Sequence, residues 1–325
     1  MLTVLYRICG FAMAAALCAC AGPTGSPGPA LPANAGSAAT GVPDGSINYN
    51  YVSLDYPGLS NFNELLGINN GGRVVGYYGS GSPSDPSSGY LIYPPYQSKN
   101  FKLLQYPQAA DTIATAANNR RTEAGYYVTG EGKALGFVYN FGIWSSYQDP
   151  HAANGQTKIL SLNDSGDAVG TYHGASSSGC FLLHVTTGKF VGIKLPHSNG
   201  VVTGINGNGD LAGYWTAAGT VAGFIRKNGV YTQLSYPGAK STQFLGITAH
   251  DYVAGSYVDK SGATHGFLLI SPLWKPGTKW ESIDEPNAGG ITVATGVNIH
   301  KQIAGYYVDK SGTTHGFVAT PTTGK

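Results

Sequence analysis

Two nearly identical strings carry the side chains best suited to chemistry. Val258-Asp259-Lys260-Ser261-Gly262 runs just ahead of His265, and Val308-Asp309-Lys310-Ser311-Gly312 stands in the same relation to His315. An imidazole beside a carboxylate can orient a proton or hydrogen-bond a ligand hydroxyl. It could hold a metal only if Asp259 or Asp309 converged with the histidines, and just two places in the chain offer that set. Calcium loops of alternating acids are absent, so neither a metal nor a cofactor is expected. Tyr56, Tyr106 and Tyr236 each precede a Pro and add aromatic faces of the kind that stack on ligands. Together with Asp259, Lys260, His265, Asp309, Lys310 and His315 they form the candidate ligand-binding set. The plainer reading stands beside it: Asp-Lys-Ser-Gly is ordinary hairpin-turn chemistry, and each His can bond a neighbouring loop within its own repeat.

Enzyme signatures are missing. The chain has no Gly-x-Ser-x-Gly elbow, His-Glu-x-x-His, phosphate loop or dinucleotide fingerprint. Asp164, Asp167 and Asp210 fall at repeat-equivalent turns, whereas polymer hydrolysis asks for unique inward carboxylates. Glu64 and Glu123 depart from the repeat pattern, and nothing in the sequence pairs them. No catalytic residue is assigned.

The elements that must position these groups come from an internal repeat. Gly76-Tyr77-Tyr78, Gly125-Tyr126-Tyr127, Gly170-Thr171-Tyr172, Gly213-Tyr214-Trp215, Gly255-Ser256-Tyr257 and Gly305-Tyr306-Tyr307 lie 49, 45, 43, 42 and 50 residues apart. A Gly-Ile-Asn-like element precedes each, as in Gly67-Ile68-Asn69 and Gly204-Ile205-Asn206. A Gly-Phe-like element follows, as in Gly136-Phe137 and Gly223-Phe224. A fourth run ends at Pro, as in Leu234-Ser235-Tyr236-Pro237. Turn sequences such as Asn163-Asp164-Ser165-Gly166 separate the first two elements, so each repeat reads as four antiparallel strands, a to d. The Asn of strand a satisfies backbone groups at its hairpin, and a ring of Asn facing a channel is the sharper variant. A Gly beside an aromatic leaves room for a ring from the neighbouring blade.

The last repeat supplies strands a, b and c and then stops. Its strand d is found at the start, as Tyr51-Val52-Ser53-Leu54-Asp55-Tyr56-Pro57-Gly58. That arrangement predicts an all-β, six-bladed β-propeller of four-stranded antiparallel blades, closed by an N-terminal strand completing the last blade. The propeller is expected over residues 48–325. In such a blade the b–c and d–a connections share one face, which gathers the nine candidate residues. The repeated aromatics, Tyr77, Tyr126 and Tyr306 included, read as core between blades before they read as a sugar-stacking platform.

His265-Gly266-Phe267-Leu268 and His315-Gly316-Phe317-Val318, with the Gly-Ile-Asn and Gly-Tyr-Tyr elements, resemble the bacterial HAF family of extracellular repeats. The resemblance spans about Tyr51 to Thr320. The family takes its name from His-Ala-Phe; here Gly stands in the middle, and the first four repeats lack the His. The resemblance implies an exported protein of repeated β units and no established activity.

Export is also read from the N-terminus. Arg7 precedes an apolar stretch, Ile8 to Leu17, too short to span a bilayer and apt for a signal peptide over residues 1–19. Leu17-Cys18-Ala19-Cys20 resembles a lipobox with Cys20 lipidated. The Ala-, Gly- and Pro-rich stretch through residue 47 reads as a flexible tether. Cys180 would then be the sole free thiol left in the mature chain, a small buried residue with no disulfide. Charged residues are 11% of the chain and the net charge is +2, which excludes a basic footprint for nucleic acid. The chain is expected to be a monomeric, non-catalytic propeller at the outer membrane or cell surface, binding a polysaccharide or envelope protein and touching membrane through its lipid alone. A secreted or periplasmic location is the alternative. The alternative functions are a polysaccharide hydrolase or lyase with its site at the propeller mouth, and a structural envelope protein.

Overall fold

The computed structural model describes residues 47–322 except 59–60, 83, 154 and 271–277. The expected signal peptide, Cys20 and all but the last residue of the expected tether lie outside the described residues. Among those described, 24 strands, numbered β1 to β24 in chain order, carry the fold, with two single-turn 3-10 helices. No described helix is long and apolar enough to cross a membrane.

The strands group as the repeat dictates. β10 (Gln156–Leu162), β11 (Asp167–His173), β12 (Ser178–His184) and β13 (Lys189–Ile193) form one four-stranded antiparallel sheet, and two further sheets repeat it. A 12-stranded sheet holds three more antiparallel groups. Single parallel bridges join them, Thr264 to Ile291 and Phe62 to Thr314. The last group is completed by β1 (Tyr49–Leu54), which pairs with β24 (Thr314–Pro321) from Tyr49 opposite Pro321 to Leu54 opposite Gly316.

Each strand a carries a bulge, and the extra residues are Leu66, Thr115, Leu160, Thr203, Leu245 and Thr295. Bulges sharpen twist and re-aim side chains. Here all six point into one cavity, with Leu and Thr alternating around it. Each Thr hydroxyl donates to a carbonyl of the next repeat: Thr115 to Ile159 at 2.9 Å, Thr203 to Phe244 at 2.7 Å, Thr295 to Leu65 at 2.7 Å.

A second set of links lies in the a–b hairpins. The Asn Oδ1 accepts backbone N–H groups two and four residues on, as Asn118 does from Arg120 and Thr122. Its Nδ2 then donates to the corresponding carbonyl of the next repeat. The series runs Asn69 to Asn118, Asn118 to Asn163, Asn163 to Asn206, Asn206 to Thr248 and Asn298 to Asn69, all at 2.9–3.0 Å. One residue thus caps its hairpin and clasps its neighbour. The Asn belt is interrupted at Thr248, where the Oγ1 accepts from Tyr252 N–H.

The core lies between successive sheets. Strand-c aromatics Tyr90, Phe137, Phe181, Phe224, Phe267 and Phe317 are fully buried. One cluster joins Leu65, Tyr90 and Ile92 of the first repeat to Ala304 and Val318 of the last. The strand-b glycines serve a different purpose from the one expected. A Cβ on Gly213 would lie 2.6 Å from the ring of Phe224, its own cross-strand partner, so the ring accommodated belongs to the same repeat. The strand-c glycines do admit a neighbour: a Cβ on Gly223 would lie 2.3 Å from the ring of Phe244 in the next repeat. Cys180 is buried, its Sγ directed at the Gly200 carbonyl.

Candidate functional site

The d–a turns are held from below. Thr112, Thr157, Thr242 and Thr292 accept, at 2.9–3.2 Å, the backbone N–H of Tyr106, Asp149, Tyr236 and Glu285, and Asn63 Oδ1 accepts that of Tyr56. The same position in five of the six repeats therefore fixes where strand d ends; in the fourth repeat it is Gly200.

This places the three candidate tyrosines inward. Tyr56, Tyr106 and Tyr236 stack on Tyr78, Tyr127 and Tyr257 with ring centroids 4.1, 3.6 and 3.6 Å apart. Phe101, Trp144 and Trp280 pack edge-on against them. Tyr236 is 5% exposed. Tyr56 and Tyr106 are half-buried, so each spends one ring face on its stacking partner and keeps part of the ring in solvent.

The Asp and His candidates are brought together, as two copies of one cluster. In the fifth repeat His265 Nδ1 lies 2.7 Å from Asp284 Oδ1 and its Nε2 3.5 Å from Asp259 Oδ2. In the sixth, His315 Nδ1 lies 2.7 Å from Asp55 Oδ2 and its Nε2 3.5 Å from Asp309 Oδ2. The rings stack on Tyr257 and Tyr307 at 4.9 and 5.1 Å. The partner acids come from the ends of strand d, so the bond stays within the repeat, and in the sixth repeat it fastens β1. Asp309 Oδ1 also accepts from Ser311 and Thr313 N–H, and Asp259 Oδ1 from Gly262 and Ala263 N–H. The Ser261 and Ser311 hydroxyls, then these backbone donors, hold both carboxyls down at about 2. Lys260 and Lys310 sit exposed at the loop tips. Among the described residues, no group of three or more His, Cys, Asp or Glu side chains is arranged to hold a metal ion.

Glu64 and Glu123, which nothing in the sequence pairs, both have partners. Glu123 forms an ion pair with Arg73 across the first two repeats. Glu64, 2% exposed, accepts from Tyr77 Oη at 2.8 Å, and burial pushes its carboxyl up to about 7. These pairs escaped the sequence because they join positions made adjacent only by sheet register and repeat packing.

Beside the clusters lies a cavity of about 220 Å³. From the six bulge residues it extends between β18 (Ser241–Ile247) and β22 (Ala288–Val297) of the fifth and sixth repeats, past Gln243, Ser256, Val293 and Tyr306. Its far end is walled by Val258, Thr264 and Val308, each one residue from a member of the Asp–His clusters. The sequence signal for this space is Ser256 itself, at a position where four other repeats carry Tyr.

No family model matches the chain, and no curated protein matches it in sequence. Among solved structures it is similar to a triple-arginine mutant of AofleA from Arthrobotrys oligospora, at 11% identity and TM-score 0.49 over 86% of this chain and 91% of that one. It is also similar to the β-propeller domain of the Trilobed protease from Pyrococcus furiosus, at 9% identity and TM-score 0.48 over 81% and 98%. TolB from Acinetobacter baumannii matches at 10% identity and TM-score 0.47 over 77% of this chain and 63% of TolB, so the chain spans less than two thirds of it. The chain is an all-β protein of four-stranded antiparallel sheets with propellers as structural neighbours. At these values the neighbours carry no argument about a ligand.

Proposed function

We propose that this chain is a closed six-bladed propeller that acts as a non-catalytic binding module, with its ligand face on the fifth and sixth repeats. The ring reading is supported by the Asn298–Asn69 bond, the β1–β24 ladder and the cavity bordered by all six strands a. The ligand reading rests on one observation: two Asp–His–Asp clusters of the same geometry stand on successive repeats, each beside an exposed Lys. Paired, equivalent polar sites suit a ligand that itself repeats, because the second engagement is then intramolecular. A polysaccharide of the cell envelope has that character. Both nitrogens of each imidazole face carboxylates, which leaves neither placed as a free base for hydrolysis. Tyr236, stacked on the Tyr257 ring that also carries His265, belongs to this site as its packed floor, whereas Tyr56 packs on the first repeat and Tyr106 on the second. The lipobox-like Leu17 to Cys20 and the HAF-type repeats support an exported, lipid-tethered protein.

The test is a glycan and polysaccharide binding screen on residues 45–325, with polymer cleavage assayed alongside. Binding that drops in both His265→Ala and His315→Ala, without cleavage, is the expected result. Cleavage of a bound polymer, or binding indifferent to both substitutions, refutes the proposal.

A further inference from the structure

At the strand-b position after Gly, four repeats carry Tyr: Tyr77, Tyr126, Tyr214 and Tyr306. Each lies opposite a strand-a residue: Glu64, Ile113, Val201 and Val293 respectively. Repeat three has Thr171 there, opposite Lys158. Lys158 reaches back with its Nζ 4.9 Å from the Tyr126 ring centroid, so a long side chain replaces the missing ring. Repeat five has Ser256 opposite Gln243, and neither is long enough to do the same. The cavity of about 220 Å³ runs from the six bulge residues into that place, where Ser256, Gln243 and the facing strands of repeat six line it.

We propose that this cavity is a binding site for a small phenolic ring, which takes the position of the absent tyrosine. The walls match such a ligand. Leu245, Val258, Ile291 and Val293 supply aliphatic faces and Tyr306 an aromatic one. An apolar cavity of ~150 Å³ already accepts benzene, so the space suffices for a substituted ring. The polar end is indicated by repeat one, where Tyr77 Oη donates to Glu64 across the strand pair at 2.8 Å. Gln243 is the equivalent of Glu64, and its carboxamide oxygen has two acceptor positions, one of which can take the hydroxyl of the ligand. This inference stands apart from the polysaccharide reading and does not need it.

The probe is p-cresol, titrated against the protein by calorimetry and thermal shift, with toluene and a methyl pyranoside in parallel. The intact chain is expected to bind p-cresol and to melt higher with it, and to ignore the pyranoside. Ser256→Tyr fills the space from within; it is expected to melt higher on its own and to lose the p-cresol response. Thr171→Tyr, at the equivalent position of repeat three, should leave binding unchanged. Should Ser256→Tyr fail to fold, Gln243→Leu serves: it is expected to weaken p-cresol roughly tenfold, the worth of one hydrogen bond, while sparing toluene. No p-cresol binding by the intact chain overturns the proposal. So does undiminished binding in a folded Ser256→Tyr, or equal loss of both ligands in Gln243→Leu. Preference for the pyranoside overturns the phenolic class.

Discussion

Replacing Thr248 by Asn should add the missing link in the Asn belt and stabilise the protein. At the five existing links the amide nitrogen reaches a carbonyl of the next repeat at 2.9–3.0 Å. Thr248 already occupies the same hairpin position: its carbonyl accepts the Asn206 amide, and its Oγ1 accepts from Tyr252 N–H as an Asn Oδ1 would. The substitution therefore keeps the turn and adds one donor aimed at Asn298 O. A net intramolecular hydrogen bond is worth about 1 kcal/mol, and for a domain of this size that raises the melting temperature by ~2 °C. The assay is calorimetric melting of Thr248→Asn beside Asn206→Thr. The second variant removes the Asn206 amide bond and leaves the Thr248 carbonyl with the Asp251 N–H alone, a loss of about 1 kcal/mol. Equal melting temperatures for the two variants, or a fall in Thr248→Asn, would refute the claim that these amides hold adjacent repeats together.

Three other outcomes follow from the geometry. Gly223→Ala drives a Cβ to 2.3 Å from the fully buried Phe244 ring, an overpacking expected to cost roughly 1–3 kcal/mol in urea denaturation. Burial holds Glu64 at about 7 against an ordinary 4.5, so the folded chain binds this proton more tightly than the unfolded chain. Its contribution to stability is therefore full below 4.5 and falls as pH rises to about 7; Glu64→Gln should flatten that fall, read as urea midpoints at pH 5 and pH 8. The Asp309 carboxyl should titrate near 2 by carbon-13 NMR, and Ser311→Ala should move it back toward the usual range by removing its strongest donor.

The architecture is legible in this sequence because every repeat spends the same residue types on the same backbone tasks. Asn at the a–b hairpin, Gly before an aromatic and Pro after strand d each report a local constraint, and local constraints survive in one dimension. The strand d displaced to the start was readable for the same reason, and β1 does pair with β24. What the sequence hid is what register and repeat packing create. Tyr236 carries the same letters as a solvent-facing stacking residue, yet a bond to Thr242 and the Tyr257 ring draw it inside. The Glu64–Tyr77 pair spans a hairpin whose facing residues are set by a bulge. The cavity was present only as a deviation, Ser256 where most repeats have Tyr, and its size became meaningful once Gln243 was seen to face it.

The β1–β24 ladder also sets how the molecule yields to force. Tyr49 faces Pro321, and Thr322 N–H bonds Asn48 O at 2.8 Å, so the two ends of the described chain leave the sheet side by side. A pull that separates those ends loads the rungs in sequence, beginning at Tyr49, instead of sharing the load among all of them in shear. The His315–Asp55 contact lies past the last rung, Leu54 opposite Gly316. It works as a pawl that must slip before β1 comes away and exposes Val318 and Phe317. Tension along the N-terminal chain would therefore unzip one strand first, while the other repeats keep their own bonds.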